Sequence, residues 1–138
     1  LLNIWDRLRE SDRMELEACG ATRENIVQEH EDGDDSFILY LNNDPIATFG
    51  TAFDSGCRVF FFFATDQLNE IGAQFQKLAV SFIKHTREIF PDSPLLVRIC
   101  SFATASLRWI EHIGFVNSGF DIVTDTVTFH TYVYKGTN

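Results

Sequence analysis

No apolar run in the sequence reaches the length of a membrane span; the longest, Val59 to Ala64, is the size of a strand. Positive charge is also short. Only 11 Lys and Arg stand against 20 Asp and Glu, a net charge of -9, and such a balance repels phosphate backbones and anionic lipid, which weighs against nucleic-acid and membrane-surface roles. Cysteine amounts to Cys19, Cys57 and Cys100, widely spaced, without metal-ligand spacing and without a secretory leader before them. They read as packed thiols in a reducing compartment, and no metal is expected. The first residue is Leu1 rather than Met, so the true start stays open. Neither an internal repeat nor a linker interrupts the chain.

What is present is a core. At 138 residues and 15.8 kDa the length suits one domain spanning 1–138. An apolar fraction of 45% that includes 14 Phe excludes a disordered chain, because that much large apolar surface collapses.

Local patterns predict the elements. Asn3 to Arg9 reads as extended. Asp12 followed by Glu15 resembles a capping box, which predicts a short helix ending at Gly20, and Thr22 predicts a second through Gln28. The acidic cluster Glu29 to Asp35 reads as a solvated loop. From Phe37 the signal turns to strands, Phe37 to Leu41, Ile46 to Phe53 and Arg58 to Thr65, separated by the turns Asn42-Asn43-Asp44-Pro45 and Asp54-Ser55-Gly56. Phe60-Phe61-Phe62-Phe63 does not alternate, which predicts a central strand covered on both faces. Leu68, Ile71, Phe75, Leu78, Phe82 and Ile89 then define the longest amphipathic helix, entered at Asp66. Leu95 to Cys100 is a strand parallel to the one before the helix, and a short helix capped by Thr104 runs to Gly114. Two strands joined through Asp125 finish the chain, giving an α/β (α+β) class with a mixed, mostly antiparallel sheet of about six or seven strands and about four helices.

That order of elements resembles the GNAT fold, the family of acetyl-CoA-dependent N-acyltransferases. Three segments carry the resemblance: Arg7 to Asp12 at the opening, Asp44-Pro45-Ile46-Ala47 followed by Gly50, and Ser106-Leu107-Arg108-Trp109-Ile110-Glu111-His112-Ile113-Gly114-Phe115. Thr65-Asp66-Gln67, Arg87 to Phe90, Ile113-Gly114 and Lys135-Gly136 resemble a narrower group, the GNAT-like internal virion protein A family of short-tailed phages. That second resemblance implies virion or assembly proteins as partners, and the host cytoplasm or virion interior as location.

The GNAT resemblance implies a cofactor cradle in which backbone N–H groups at a helix N-terminus hold the pyrophosphate of acetyl-CoA. Of the family's pattern, Gln or Arg, two residues, Gly, one residue, Gly or Ala, the chain offers Thr65, Gln67, Gly72 and Ala73 as candidate cofactor residues. Asp66 and Glu70 put negative charge beside that cradle. The family's Asn falls on Ala103 and its acidic Tyr on Ile110, so neither polar group is there. Candidates left for catalysis are Asp66, Ser101 and His130, the last on a strand where His130, Tyr132 and Tyr134 alternate to one side. The degraded cradle and missing acid lead to the expectation of a non-catalytic virion or assembly protein without cofactor. The alternative is a divergent N-acetyltransferase that uses acetyl-CoA on an amine.

Overall fold

The computed structural model describes residues 2–18, 22, 24 and 35–136. Helices α1 (Leu2–Asp6) and α2 (Glu10–Ala18) open the chain, and strands β1 (Asp35–Leu41), β2 (Asp44–Asp54) and β3 (Cys57–Ala64) follow. A 3-10 helix (Asp66–Ile71) leads into α3 (Gly72–Ile89), then come β4 (Leu95–Cys100), α4 (Thr104–His112), β5 (Phe115–Val123) and β6 (Thr128–Tyr134). The six strands form one sheet in the order β1-β2-β3-β4-β6-β5, in which only the β3–β4 pair is described as parallel. The α/β class and the mostly antiparallel sheet are those read from the sequence. Contacts divide the chain into two compact units, residues 1–52 with 60–72, and residues 53–59 with 73–138.

In the first unit the hairpin turn forms because Asn42 and Asn43 both adopt positive φ, 51° and 68°, the geometry that matches the twist of antiparallel strands. Phe37 and Phe49 stack across β1 and β2 with centroids 5.6 Å apart. The opening segment, read as extended from Asn3 to Arg9, is helical through Asp6, and beyond the helix Leu8 makes a strand-like bridge to Thr65. Ile4 and Leu8 are both buried and cluster with Leu16, with Phe63 packed against them. Asp12 does not cap α2, which begins two residues earlier. Its carboxylate is buried and accepts hydrogen bonds from the Ala64 N–H at 2.8 Å and from the Arg9 guanidinium at 3.1 Å, so it ties the helix to the end of β3.

The four-Phe run is less covered than its composition suggests. Phe60 is fully buried, whereas Phe61, Phe62 and Phe63 are half-buried. Phe61 stacks on Phe63, centroids 6.2 Å apart, and Phe62 lies under the Arg9 guanidinium, 5.0 Å from its ring centroid. The strand, third in the sheet, is thus half-covered over Phe61 to Phe63, with a cation over the Phe62 ring.

In the second unit α3 buries Phe75, Ala79, Phe82, Ile83 and Thr86 on one stripe. Arg58, 5% exposed, lies flat over Phe90 at 3.7 Å while its N–H donates to the Pro94 carbonyl, which fixes the turn after α3. Helix α4 starts at Thr104 with Ala103 as its N-cap, so Thr104 is the first helical residue and makes no cap bond. Gly114 follows it with φ 113°, and an added Cβ there would meet Gly136 and Tyr134 at 3.0 Å, which explains why glycine precedes Phe115. Cys100 is buried and Cys57 half-buried. The expected helix 22–28, most of the acidic cluster, Cys19 and His30 lie outside the described residues.

Candidate functional site

The segment from Thr65 to Ala73 forms as the sequence suggests in place but not in detail. Thr65 stands at the N-cap position with extended backbone, φ -90° and ψ 168°, and its side chain makes no cap bond. The six residues after it are a 3-10 helix that runs straight into α3, so the helical N–H groups that lack upstream carbonyls belong to Asp66 and its successors rather than to Gly72. Asp66, Asn69 and Glu70 are exposed. Gln67 is held in place: its Oε1 accepts from Arg7 at 2.8 Å and its amide donates to Asp44 at 3.4 Å, while Arg7 also donates to the Pro45 carbonyl. Gly72 faces open space, and a methyl group added to its Cα would meet nothing within 4 Å. Further along, Ala73, Lys77, Val80 and Lys84 line an open groove of about 530 Å³ on the outer face of α3. These two lysines were not singled out by sequence patterns, and they are the cations of a groove lined also by Ala73, Gln76, Val80 and Ser81.

The parallel pair joins over a short distance. Its register comprises Arg58↔Leu95 and Val59↔Leu96, whereas β4 is paired to β6 from Leu96 through Cys100. Ser101 follows in an exposed turn, its N–H donating to the Thr128 carbonyl. Ile110, the position where the family resemblance implies a Tyr, is 1% exposed in the apolar core. Trp109 beside it stacks on Phe75, centroids 5.6 Å apart.

The last hairpin brings polar groups together. His130 Nδ1 lies 2.8 Å from Asp121 Oδ1, directly across from it in the β5–β6 register. A carboxylate only accepts, so Nδ1 is the nitrogen that donates in this contact and Nε2 is the one left facing away from Asp121. Two residues on, Tyr132 donates its hydroxyl to Glu111 of α4 at 3.1 Å. Burial, and then the Glu111 carboxylate, push the Tyr132 phenol above its usual value. Asp121 and Glu111 were missed by sequence reasoning. Pairing outward from the 124–127 turn would have found Asp121, since 121 meets 130 when 123 meets 128. Asp66 belongs to the first unit, Ser101 and His130 to the second. Among the described residues no group of three or more His, Cys, Asp or Glu is arranged to hold a metal ion.

This element order and sheet define the GNAT acetyltransferase fold. The chain matches a GNAT-family acetyltransferase structure from Bordetella pertussis with TM-score 0.60 and 14% identity, over 89% of this chain and 76% of that one. It matches a ribosomal-protein-alanine N-acetyltransferase from Brucella melitensis with TM-score 0.62 and 13% identity, over 80% of this chain and 74% of that one. A GNAT-family acetyltransferase from Elizabethkingia anophelis with acetyl-CoA bound aligns with TM-score 0.57 and 13% identity, covering 82% of each chain. No protein-family model matches the chain, and no curated protein matches it. At such identities the likeness establishes the fold.

Proposed function

We propose that the protein is an acyl-CoA-dependent N-acyltransferase acting on a cationic amine. The observation that carries this reading is the register of the parallel pair, which stops after Leu96 and leaves β4 from Val97 to Cys100 paired on its β6 side. A strand edge of that kind offers backbone N–H and C=O groups to an extended acyl-pantetheine arm. Acetyl-CoA would supply the activated acyl group. Lys77 and Lys84 supply positive potential for its phosphates that Asp66 and Glu70 do not. A net charge of -9 favours a positively charged acceptor.

Isothermal titration with acetyl-CoA tests the reading, followed by thiol release on adding spermidine or an alanine-initiated peptide. Binding at micromolar concentration with amine-dependent release supports it; no binding up to about 1 mM, roughly -4 kcal/mol, overturns it. A second reading, a catalytically silent protein that works through protein contacts, rests on Ile110 occupying the position of the expected acid. The comparisons lend that reading no virion component.

A further inference from the structure

We propose that His130, oriented by Asp121, is the base that deprotonates the acceptor amine. This rests on the acyltransferase reading and adds to it the residue that activates the nucleophile. Between Asn117, opposite Tyr132, and Asp121, opposite His130, β5 spends three residues where β6 spends one. A bulge of this size re-aims the residue that follows it. It is held from within: Ser118 Oγ donates to the Thr131 carbonyl at 2.7 Å, the Phe120 N–H donates to Ser118 Oγ at 3.2 Å, and the Gly119 N–H donates to Asn117 Oδ1 at 2.9 Å. Gly119 takes φ 82°, which a side chain would oppose. The register from the 124–127 turn sets Asp121 opposite His130, with Oδ1 2.8 Å from Nδ1, and these bonds hold the bulge that begins immediately beyond that pair.

Both members remain reachable by solvent, with side-chain exposures of 26% for His130 and 43% for Asp121. A purely structural pair gains little at such exposure, whereas a base must meet its substrate. His130 also sits next to the strand assigned to the acyl arm: its direct partner on β4 is Ile99, one strand spacing, about 5 Å, away. The titratable groups around it are Asp121 from β5, Tyr132 two residues along β6, and Glu111 of α4 bonded to that Tyr.

Nε2 of His130 takes a proton from the acceptor ammonium, and the freed nitrogen lone pair attacks the thioester carbonyl carbon. The C–N bond forms, the C–S bond breaks, the sulfur leaves with its electron pair and receives the second amine proton, and His130 returns its proton to water. Asp121 is a positioning residue: it holds the Nδ1–H tautomer and stabilises the imidazolium that forms.

The test compares wild type, His130→Gln and Asp121→Asn, each checked for an unchanged melting temperature and acetyl-CoA affinity, with spermidine as acceptor. His130→Gln is expected to lose about 100-fold or more in kcat and to abolish the acidic limb of the pH profile. Asp121→Asn is expected to lose less and to shift the neutral imidazole towards the other tautomer in nitrogen NMR. If wild type binds no acetyl-CoA, or binds it without transfer to an amine, the acyltransferase reading fails and takes this one with it. Two results overturn the base alone: an unaltered pH profile in His130→Gln, or an unaltered tautomer in Asp121→Asn.

Discussion

Asp12 shows how a single carboxylate can be placed by contacts far off in sequence. Its spacing to Glu15 reads as a helix start, but the group that decides its role is the Ala64 N–H, 52 residues away, which no local pattern announces. Removing the side chain in Asp12→Ala strands that N–H and the Arg9 guanidinium, and is expected to lower stability by roughly 3 kcal/mol in urea denaturation. The pH dependence has a definite sign. Burial raises the Asp12 pKa, outweighing Arg9 and Ala64, which favour the ion. The folded state therefore keeps a proton that the unfolded chain has already released, and the stability this group contributes falls as pH rises from the usual carboxylate value through the raised one. The urea midpoint of wild type relative to Asp12→Asn should drop across that window; a relative gain would mean that the ion pair outweighs burial.

Elements set by local chemistry were legible, and those set by distant packing were not. The hairpins at Asn42-Asn43 and Ser55-Gly56 follow from turn residues that tolerate positive φ. Asn43→Gly should therefore stabilise the protein by about 0.5 kcal/mol, and Asn42→Val should destabilise it by more, both measurable by thermal melting. Gly114→Ala is expected to lose about 2 kcal/mol, because it combines a positive φ with contacts at 3.0 Å. The opening helix was missed because five residues hold no periodicity that excludes a strand; Ile4 gains its buried place only through Leu8, Leu16 and Phe63, which lie outside it. The site was legible in part for the same reason. His130 is visible as an alternating strand residue, while Asp121 becomes its partner only once the two strands are paired outward from the 124–127 turn.

At the scale of the whole molecule, charge gives a prediction for the acceptor. A chain of net charge -9 attracts a polyamine. Raising NaCl from about 0.05 M to about 0.5 M screens that attraction, so it should raise the KM for spermidine. Initial rates at the two salt levels check this. Among the described residues no helix is long and apolar enough to cross a bilayer.

The path of the backbone has a consequence for anyone who would dissect the protein. It changes unit at 52/53, at 59/60 and again at 72/73, so a seven-residue loan from the early chain, 53–59, completes the later unit. That loan includes Arg58, whose guanidinium carbon lies 3.7 Å from the Phe90 ring centroid and 5.8 Å from that of Phe53. Neither unit is a continuous gene fragment. A truncation at residue 72 leaves the 73–138 piece without the arginine that packs on Phe90, so that piece falls short of a whole unit.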